Sequence, residues 1–288
     1  MKLCSLRSDS GEDVGFETAG GIVLLSSINK VTGNEFGPTL FEIVTEGQRD
    51  RLESALANPD VLATAVRDDH PNFLPLYRNP PKLWGVGLNY RRHADDLEAV
   101  QPPDVPGSYL RPNSTVIGDG DEILLPGQSQ RVTAEAELGV VVGTTCRDVP
   151  EAEAGSVVFG FTTVLDMTAE DAIRVNPRYI PWAKAFDTFC SIGPWIVTPD
   201  EVKDLASVRI STIVNGRTIA TNQVSAMLRN PYWQVSHFSG GMVLEAGTII
   251  ATGTPGAGVI QDGDTVEADV TGVGRLRNRV RHSTNPAG

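Results

Sequence analysis

From Leu83 onward the chain is a succession of short apolar runs closed by Gly, Pro, Asn or Asp. They read KLWGVGLNY, ELGVVVG, SVVFGFTTVLD, WIVT, VRISTIVNG, GTIIATGTP and TVEADVTGVG. Runs of this length suit strands and are too short for most helices, so the spacing predicts an α+β protein that is predominantly β. Residues 1–67 read as a smaller leading unit. In it GGIVLLSS and TLFEIV predict short strands, and QRDRLESALANPD predicts a helix that stops at Asn-Pro. A proline-rich connector, DDHPNFLPLYRNPPK, follows. It places a boundary between a small α/β N-terminal domain, 1–75, and a larger domain, 76–288. No internal repeat or heptad interrupts the pattern.

A formal net charge of -12 repels phosphate backbones and anionic lipid, which argues against nucleic acid or a membrane surface as partner. The cysteines, Cys4, Cys146 and Cys190, are odd in number and widely spaced. They suggest neither a disulfide framework nor a zinc knuckle, and a reducing cytoplasm is the expected setting. The opening MKLCSLRSDSGED turns polar too early for a signal peptide, and no run approaches the roughly 18 apolar residues of a membrane span. A soluble cytoplasmic protein is the expectation.

Four segments carry residue types that do chemistry. In TAEAELGVVVG, strand geometry sends Glu135 and Glu137 to one face, at the start of a run too apolar for a surface strand. A third carboxylate, Asp166, ends the next apolar run. Without a neighbouring Cys or His, the three form an all-oxygen set suited to magnesium, manganese or calcium. The same spacing is met by solvated charges on an edge strand. In GVGLNYRRHADD, His93 has Asp96 three residues on, so a helix would give the imidazole a carboxylate partner, as general bases often have. An exposed histidine on a polar helix satisfies the pattern equally. Lys184, among Trp182, Phe186 and Phe189, is expected to be partly desolvated and to need a negative partner. A lysine snorkelling over an apolar surface is the alternative. The loop in GTIIATGTPGAGV lacks the GK[ST] of a phosphate loop, which removes nucleotide binding by that route. Its backbone N–H groups and Thr254 hydroxyl could receive a carboxylate or oxyanion, or simply form a turn.

In this order the segments resemble the fumarylacetoacetate hydrolase family. The matching stretches are GVGLNYRRHADD, YLRPNSTVIGDGDEILLP, AEAELGVVVG, GFTTVLDMTAED, WAKAFDTFCSIGPWIVT, VNG and LEAGTIIATGTPGAGV with DGDTVEADVTGVGRLRN. The resemblance implies a mixed β-roll catalytic domain behind a smaller N-terminal domain, usually in a homodimer. It places a magnesium or manganese ion on Glu135, Glu137 and Asp166, and the family's lysine on Lys184. The lid histidine falls on His93 with Asp96 beside it, and substrate contacts fall on Tyr109, Arg111 and Thr254. Three departures stand out. Asp96 replaces the usual Glu and is one methylene shorter, leaving Asp95 and Glu98 as alternative partners. Glu170 and Ile173 stand where an Arg and a Gln usually hold the substrate. Replacing Arg by Glu reverses a charge beside an anion site, and Arg174 and Arg178 are the nearby candidates to offset it.

The expected activity is hydrolytic cleavage of a C–C bond in a 1,3-dioxo or 2-oxo acid of the acylpyruvate or fumarylpyruvate type, through a metal-stabilised enolate. His93 would activate the attacking water, and Lys184 would add positive charge beside the enolate. Decarboxylation or keto–enol isomerisation of an oxaloacetate-like acid uses the same platform and is the alternative. A non-catalytic small-molecule binder on the same scaffold is the rival from another class.

Overall fold

The computed structural model describes residues 1–8, 11–91 and 105–283, so His93, Asp95, Asp96 and Glu98 lie outside the described residues. The helices are α1 (Leu25–Thr32), α2 (Leu40–Thr45), α3 (Arg49–Leu56), α4 (Pro59–Leu62), α5 (Glu170–Val175), α6 (Ile180–Ala183) and α7 (Pro231–Gly241). The first strands are β1 (Lys2–Ser8), β2 (Gly11–Thr18), β3 (Gly21–Leu24), β4 (Leu83–Gly87), β5 (Gly107–Leu110), β6 (Val116–Ile117) and β7 (Glu122–Leu125). Two long ones follow, β8 (Val132–Val142) and β9 (Val158–Ala169). The rest are β10 (Cys190–Val197), β11 (Arg209–Val214), β12 (Arg217–Gln223), β13 (Ile249–Ala251), β14 (Ala257–Ile260), β15 (Thr265–Val270) and β16 (Gly274–His282). The protein is therefore mostly β, as the short apolar runs predict.

An 11-stranded sheet runs β3-β2-β1-β10-β9-β8-β13-β4-β5, with β14 added to β8 and β6 to β10. A second sheet of 5 strands runs β12-β11-β15-β16-β7. Most pairs are antiparallel, while β13–β4, β10–β6 and β16–β7 are parallel, so both sheets are mixed. The opening residues, too polar for a signal peptide, form β1. That strand pairs antiparallel with β10 (Leu3 opposite Ile196) and joins the leading segment to the large sheet.

Two leading elements differ from expectation. TLFEIV was predicted as a strand and is the helix α2. Thr39 Oγ1 accepts from the Glu42 N–H while the Glu42 carboxylate accepts from the Thr39 N–H, a capping box that starts a helix at Leu40. Leu40, Ile43 and Val44 then fall on one buried face at helical spacing. GGIVLLSS is a strand only to Leu24, after which Leu25 and Ile28 turn inward from α1.

Every residue of β8 and β9 is buried. Ala134, Ala136 and Leu138 share an apolar cluster with Ile210, Val266, Ala268 and Leu276 of the second sheet. Strand alternation therefore turns Thr133, Glu135 and Glu137 to the opposite face. Burial on both sides explains why this strand reads as an apolar run in which two acids stand out.

Candidate metal centre

Glu135 lies directly across the ladder from Asp166, and Glu137 is one pleat further along the same face. One carboxylate oxygen from each of the three lies within 4.8 Å of the others. Their residues are 8%, 1% and 0% exposed for Glu135, Glu137 and Asp166, so solvent cannot neutralise them. Lys184 Nζ donates to Glu135 Oε2 at 3.0 Å, to Asp166 Oδ1 at 2.9 Å and to Thr168 Oγ1 at 2.6 Å. Arg111 donates to Asp166 Oδ1 and to the carbonyl oxygens of Lys184 and Met167. The Tyr109 hydroxyl donates to Asp166 Oδ2. The Gly253 N–H donates to Glu137 Oε2 at 2.8 Å.

Among the described residues, three carboxylates thus face two cationic side chains, which leaves negative charge in a buried site. Burial pushes Glu137 up from 4.5 to about 7, with the neighbouring Glu135 adding and Lys184 opposing. Burial likewise pulls the Lys184 ammonium below its ordinary value, against the attraction of Glu135. It also lifts the Tyr109 phenol well above its usual value, assisted by Glu137. A cluster pressed toward its neutral forms fits a divalent cation, which would supply the missing charge. The donors are all oxygen, the preference of magnesium, manganese and calcium.

Local structure explains how the supporting groups arrive. Gly85 on β4 sits opposite Tyr109 on β5. A Cβ built on Gly85 would lie 2.2 Å from the Tyr109 ring, so only glycine lets the phenol cross the strand to reach Asp166. Gly253 has φ +98, and a Cβ there would meet Asn89 Cβ at 2.7 Å. Asn89 in turn donates to the carbonyls of Thr252 and Arg229, pinning the loop that offers its N–H to Glu137. Lys184 follows α6 beside the ring series Trp182, Phe186 and Phe189. It is 5% exposed, matching the expected desolvation.

The structure therefore brings together Glu135, Glu137, Asp166, Lys184, Tyr109 and Arg111. Here Tyr109 and Arg111 hold Asp166, although the resemblance assigned them to substrate. Thr254 is buried next to the Gly253 amide, and its hydroxyl donates to the Gly256 carbonyl at 3.1 Å. Glu170, whose direction the sequence left open, has its side chain largely buried between two arginines. It accepts from Arg131 Nε at 2.7 Å and from Arg174 Nε at 2.9 Å. Arg174 thus meets the acid as expected, and the other partner is Arg131. Sequence reasoning missed Arg131, Thr168, Gly85 and Asn89. Period-two spacing from Glu135 and Asp166 could have flagged Arg131 and Thr168, whereas the glycine and asparagine contacts depend on long-range register. It also missed Tyr90, whose buried hydroxyl has no hydrogen-bond partner among the described residues.

The family profile described as fumarylacetoacetate (FAA) hydrolase C-terminal matches residues 82–281. A 2,4-didehydro-3-deoxy-L-rhamnonate hydrolase of a Sphingomonas species is 34% identical over 97% of this chain and 96% of its own length. A human mitochondrial oxaloacetate tautomerase is 31% identical over 97% of this chain and 91% of its own. Among solved structures, the maleylpyruvate hydrolase of Sphingobium sp. SYK-6, in complex with manganese(II) and pyruvate, is similar at TM-score 0.79. Its identity is 29%, over 99% of this chain and 100% of that one. On its profile match, its full-length relatives and its fold, the chain belongs to the fumarylacetoacetate hydrolase family.

Proposed function

We propose that the chain is a magnesium- or manganese-dependent hydrolase that cleaves a C–C bond in a 1,3-dioxo or 2-oxo acid. The observation behind this reading is the buried Glu135–Glu137–Asp166 triad with Lys184 bonded to two of its members. A cation held by the triad supplies Lewis-acid polarisation of a substrate carbonyl. The chain's own groups do the rest. Tyr109 and Arg111 hold Asp166, and the Gly253 N–H holds Glu137. Lys184 keeps a positive charge at the place where negative charge develops on the substrate. His93, with Asp96 as its partner, takes a proton from the attacking water. Burial of the triad lowers the local dielectric and so strengthens these electrostatic contributions. The full enzyme in this reading is a cytoplasmic homodimer. Cys4, Cys146 and Cys190 are all free, which supports the reducing setting.

A second reading, keto–enol tautomerisation, is favoured by the oxaloacetate tautomerase among the full-length relatives. It needs the metal platform and a proton carrier but no attacking water. Purified, chelator-stripped protein is incubated with and without magnesium or manganese against acylpyruvates, fumarylpyruvate-type acids and oxaloacetate. Enol absorbance and released acids are followed. Metal-dependent formation of two acids establishes the hydrolase. Enol–keto exchange without new acids moves the assignment to tautomerase, carbon dioxide release moves it to decarboxylase, and metal binding with no turnover leaves a binding protein.

A further inference from the structure

Lys184 brings to the triad an ammonium whose N–H groups are all engaged. An ammonium has three donors and no lone pair, so each of its partners must accept. Two of the partners are triad carboxylates, Glu135 at 3.0 Å and Asp166 at 2.9 Å. The third and shortest contact is to Thr168 Oγ1 at 2.6 Å, an uncharged acceptor. Thr168 lies two residues beyond Asp166 on β9, opposite Thr133 of β8, and both threonines are buried. Glu137 lies the other way along β8, opposite Val164. The ammonium therefore stands at the end of the triad away from Glu137, between the carboxylates and the threonine.

Asp166 is the crowded member of the triad. Its Oδ1 accepts from both Lys184 and Arg111, and its Oδ2 accepts from Tyr109. A carboxylate offers about four lone pairs, so these donors leave Asp166 roughly one for a cation. Glu135 is shared with Lys184 as well. An ammonium and a divalent cation would thus draw on the same two carboxylates. The lysine backbone is not free to retreat. Its N–H donates to the Ile180 carbonyl at 3.2 Å, and Arg111 donates to its carbonyl. The same guanidinium donates to the Met167 carbonyl at 3.2 Å, next to Thr168. Arg111 therefore ties together the two segments that the Lys184–Thr168 contact joins, and the reach from Nζ to Oγ1 is set by the backbone. Of the three acceptors around Nζ, only Thr168 carries no charge for a divalent cation to claim.

We propose that Thr168 is a positioning residue for Lys184, whose ammonium its hydroxyl holds back so that Glu135 and Asp166 can take a divalent cation with the lysine still beside them. The inference rests on the metal-dependent reading above. Without the hydroxyl, one buried N–H loses its acceptor and the ammonium leans on the two carboxylates. It then opposes the cation both by its charge and by the lone pairs it occupies. A threonine that merely filled space would act independently of Lys184.

The test measures manganese binding to chelator-stripped full-length protein by calorimetry. Thr168→Val keeps the β-branched shape that suits a strand and removes the hydroxyl. Thr168→Ala removes it without adding atoms, and Thr168→Ser retains it. Both hydroxyl-free variants are expected to bind manganese about tenfold more weakly, whereas Thr168→Ser stays within about twofold of the wild type. In a Lys184→Met background, Thr168→Val should change the affinity by less than about twofold, because no ammonium is left to hold. For an acid that the wild type turns over at saturating manganese, Thr168→Val should lower kcat about tenfold with little change in KM. Unchanged manganese affinity in both hydroxyl-free variants overturns the proposal and leaves the metal reading intact. A loss of affinity or of folding that is the same with and without Lys184 makes the role structural and also overturns it. Absence of manganese binding by the wild type overturns the metal reading, and the inference falls with it.

Discussion

Glu137 is held by burial near 7, far from its ordinary 4.5, and a cation must displace the proton it keeps there. The neutral acid is no ligand, so affinity for magnesium or manganese is expected to rise with pH and to level off above about 7. Below that, it should fall by up to about tenfold per unit, the limit for one competing proton. Titration calorimetry in two buffers of different ionisation heat reads this directly. Close to one proton should be released on metal uptake at pH 6 and much less at pH 8, and pH-independent uptake without release would show that Glu137 is already ionised. Arg111 is a second residue whose effect can be argued from its surroundings. Its side chain and that of Asp166 are 1% and 0% exposed, so Arg111→Met removes one of the cations from a buried carboxylate. Removing one partner of such a pair costs about 3–5 kcal/mol. Denaturant unfolding of the metal-free protein should show a loss of that size, while a loss under about 1 kcal/mol would mean that Lys184 and Tyr109 suffice for Asp166.

Between elements, what matters is how closely strands approach. The β4–β5 pair brings Tyr109 over Gly85, with no room for a methyl group between them. Gly85→Ala is therefore expected to turn the phenol away from Asp166 and to lower metal affinity about 10–100-fold, the range typical of lost supporting contacts. Tyr109→Phe should give a similar loss by removing the same hydrogen bond; manganese titration of both variants checks this. An unchanged affinity in Gly85→Ala would mean that the β4–β5 ladder yields instead. This contact also marks what a single sequence can show. Period two put Glu135 and Glu137 on one face, and the short apolar runs gave β8, β9 and β10 their character. Tertiary register is what sets Asp166 opposite Glu135 and Gly85 opposite Tyr109, and local pattern does not encode register. TLFEIV failed for a different reason. Its β-branched and aromatic residues suggest a strand, but the Thr39–Glu42 capping box and the Leu40, Ile43, Val44 stripe decide for a helix. Glu170 looked like a charge reversal because Arg131, distant in sequence by 39 positions, was not visible as its partner.

At the scale of the molecule, the triad joins parts of the chain that are far apart in sequence. Tyr109 comes from an outer strand of the large sheet, Glu135 and Glu137 from β8, Asp166 from β9, Lys184 from the end of α6, and the Gly253 amide from the loop after β13. A cation bound there closes contacts across most of the catalytic region, and such a ligand stabilises the native state by mass action. At a hundredfold excess over Kd the gain is about 2.7 kcal/mol, which for a chain of this size is a rise of several degrees in Tm. Calorimetric scans should show that rise on adding manganese to chelator-stripped protein, and its loss on adding chelator. Asp166→Asn serves as the control, because it keeps the shape while removing a charge at the centre of the cluster. It should abolish the manganese-dependent rise, and in the metal-free protein it should cost about as much as Arg111→Met, because it leaves the buried Arg111 guanidinium without its carboxylate. If manganese raised the Tm of Asp166→Asn as much as that of the wild type, the cation would be binding elsewhere, among the many acids of a chain with net charge -12.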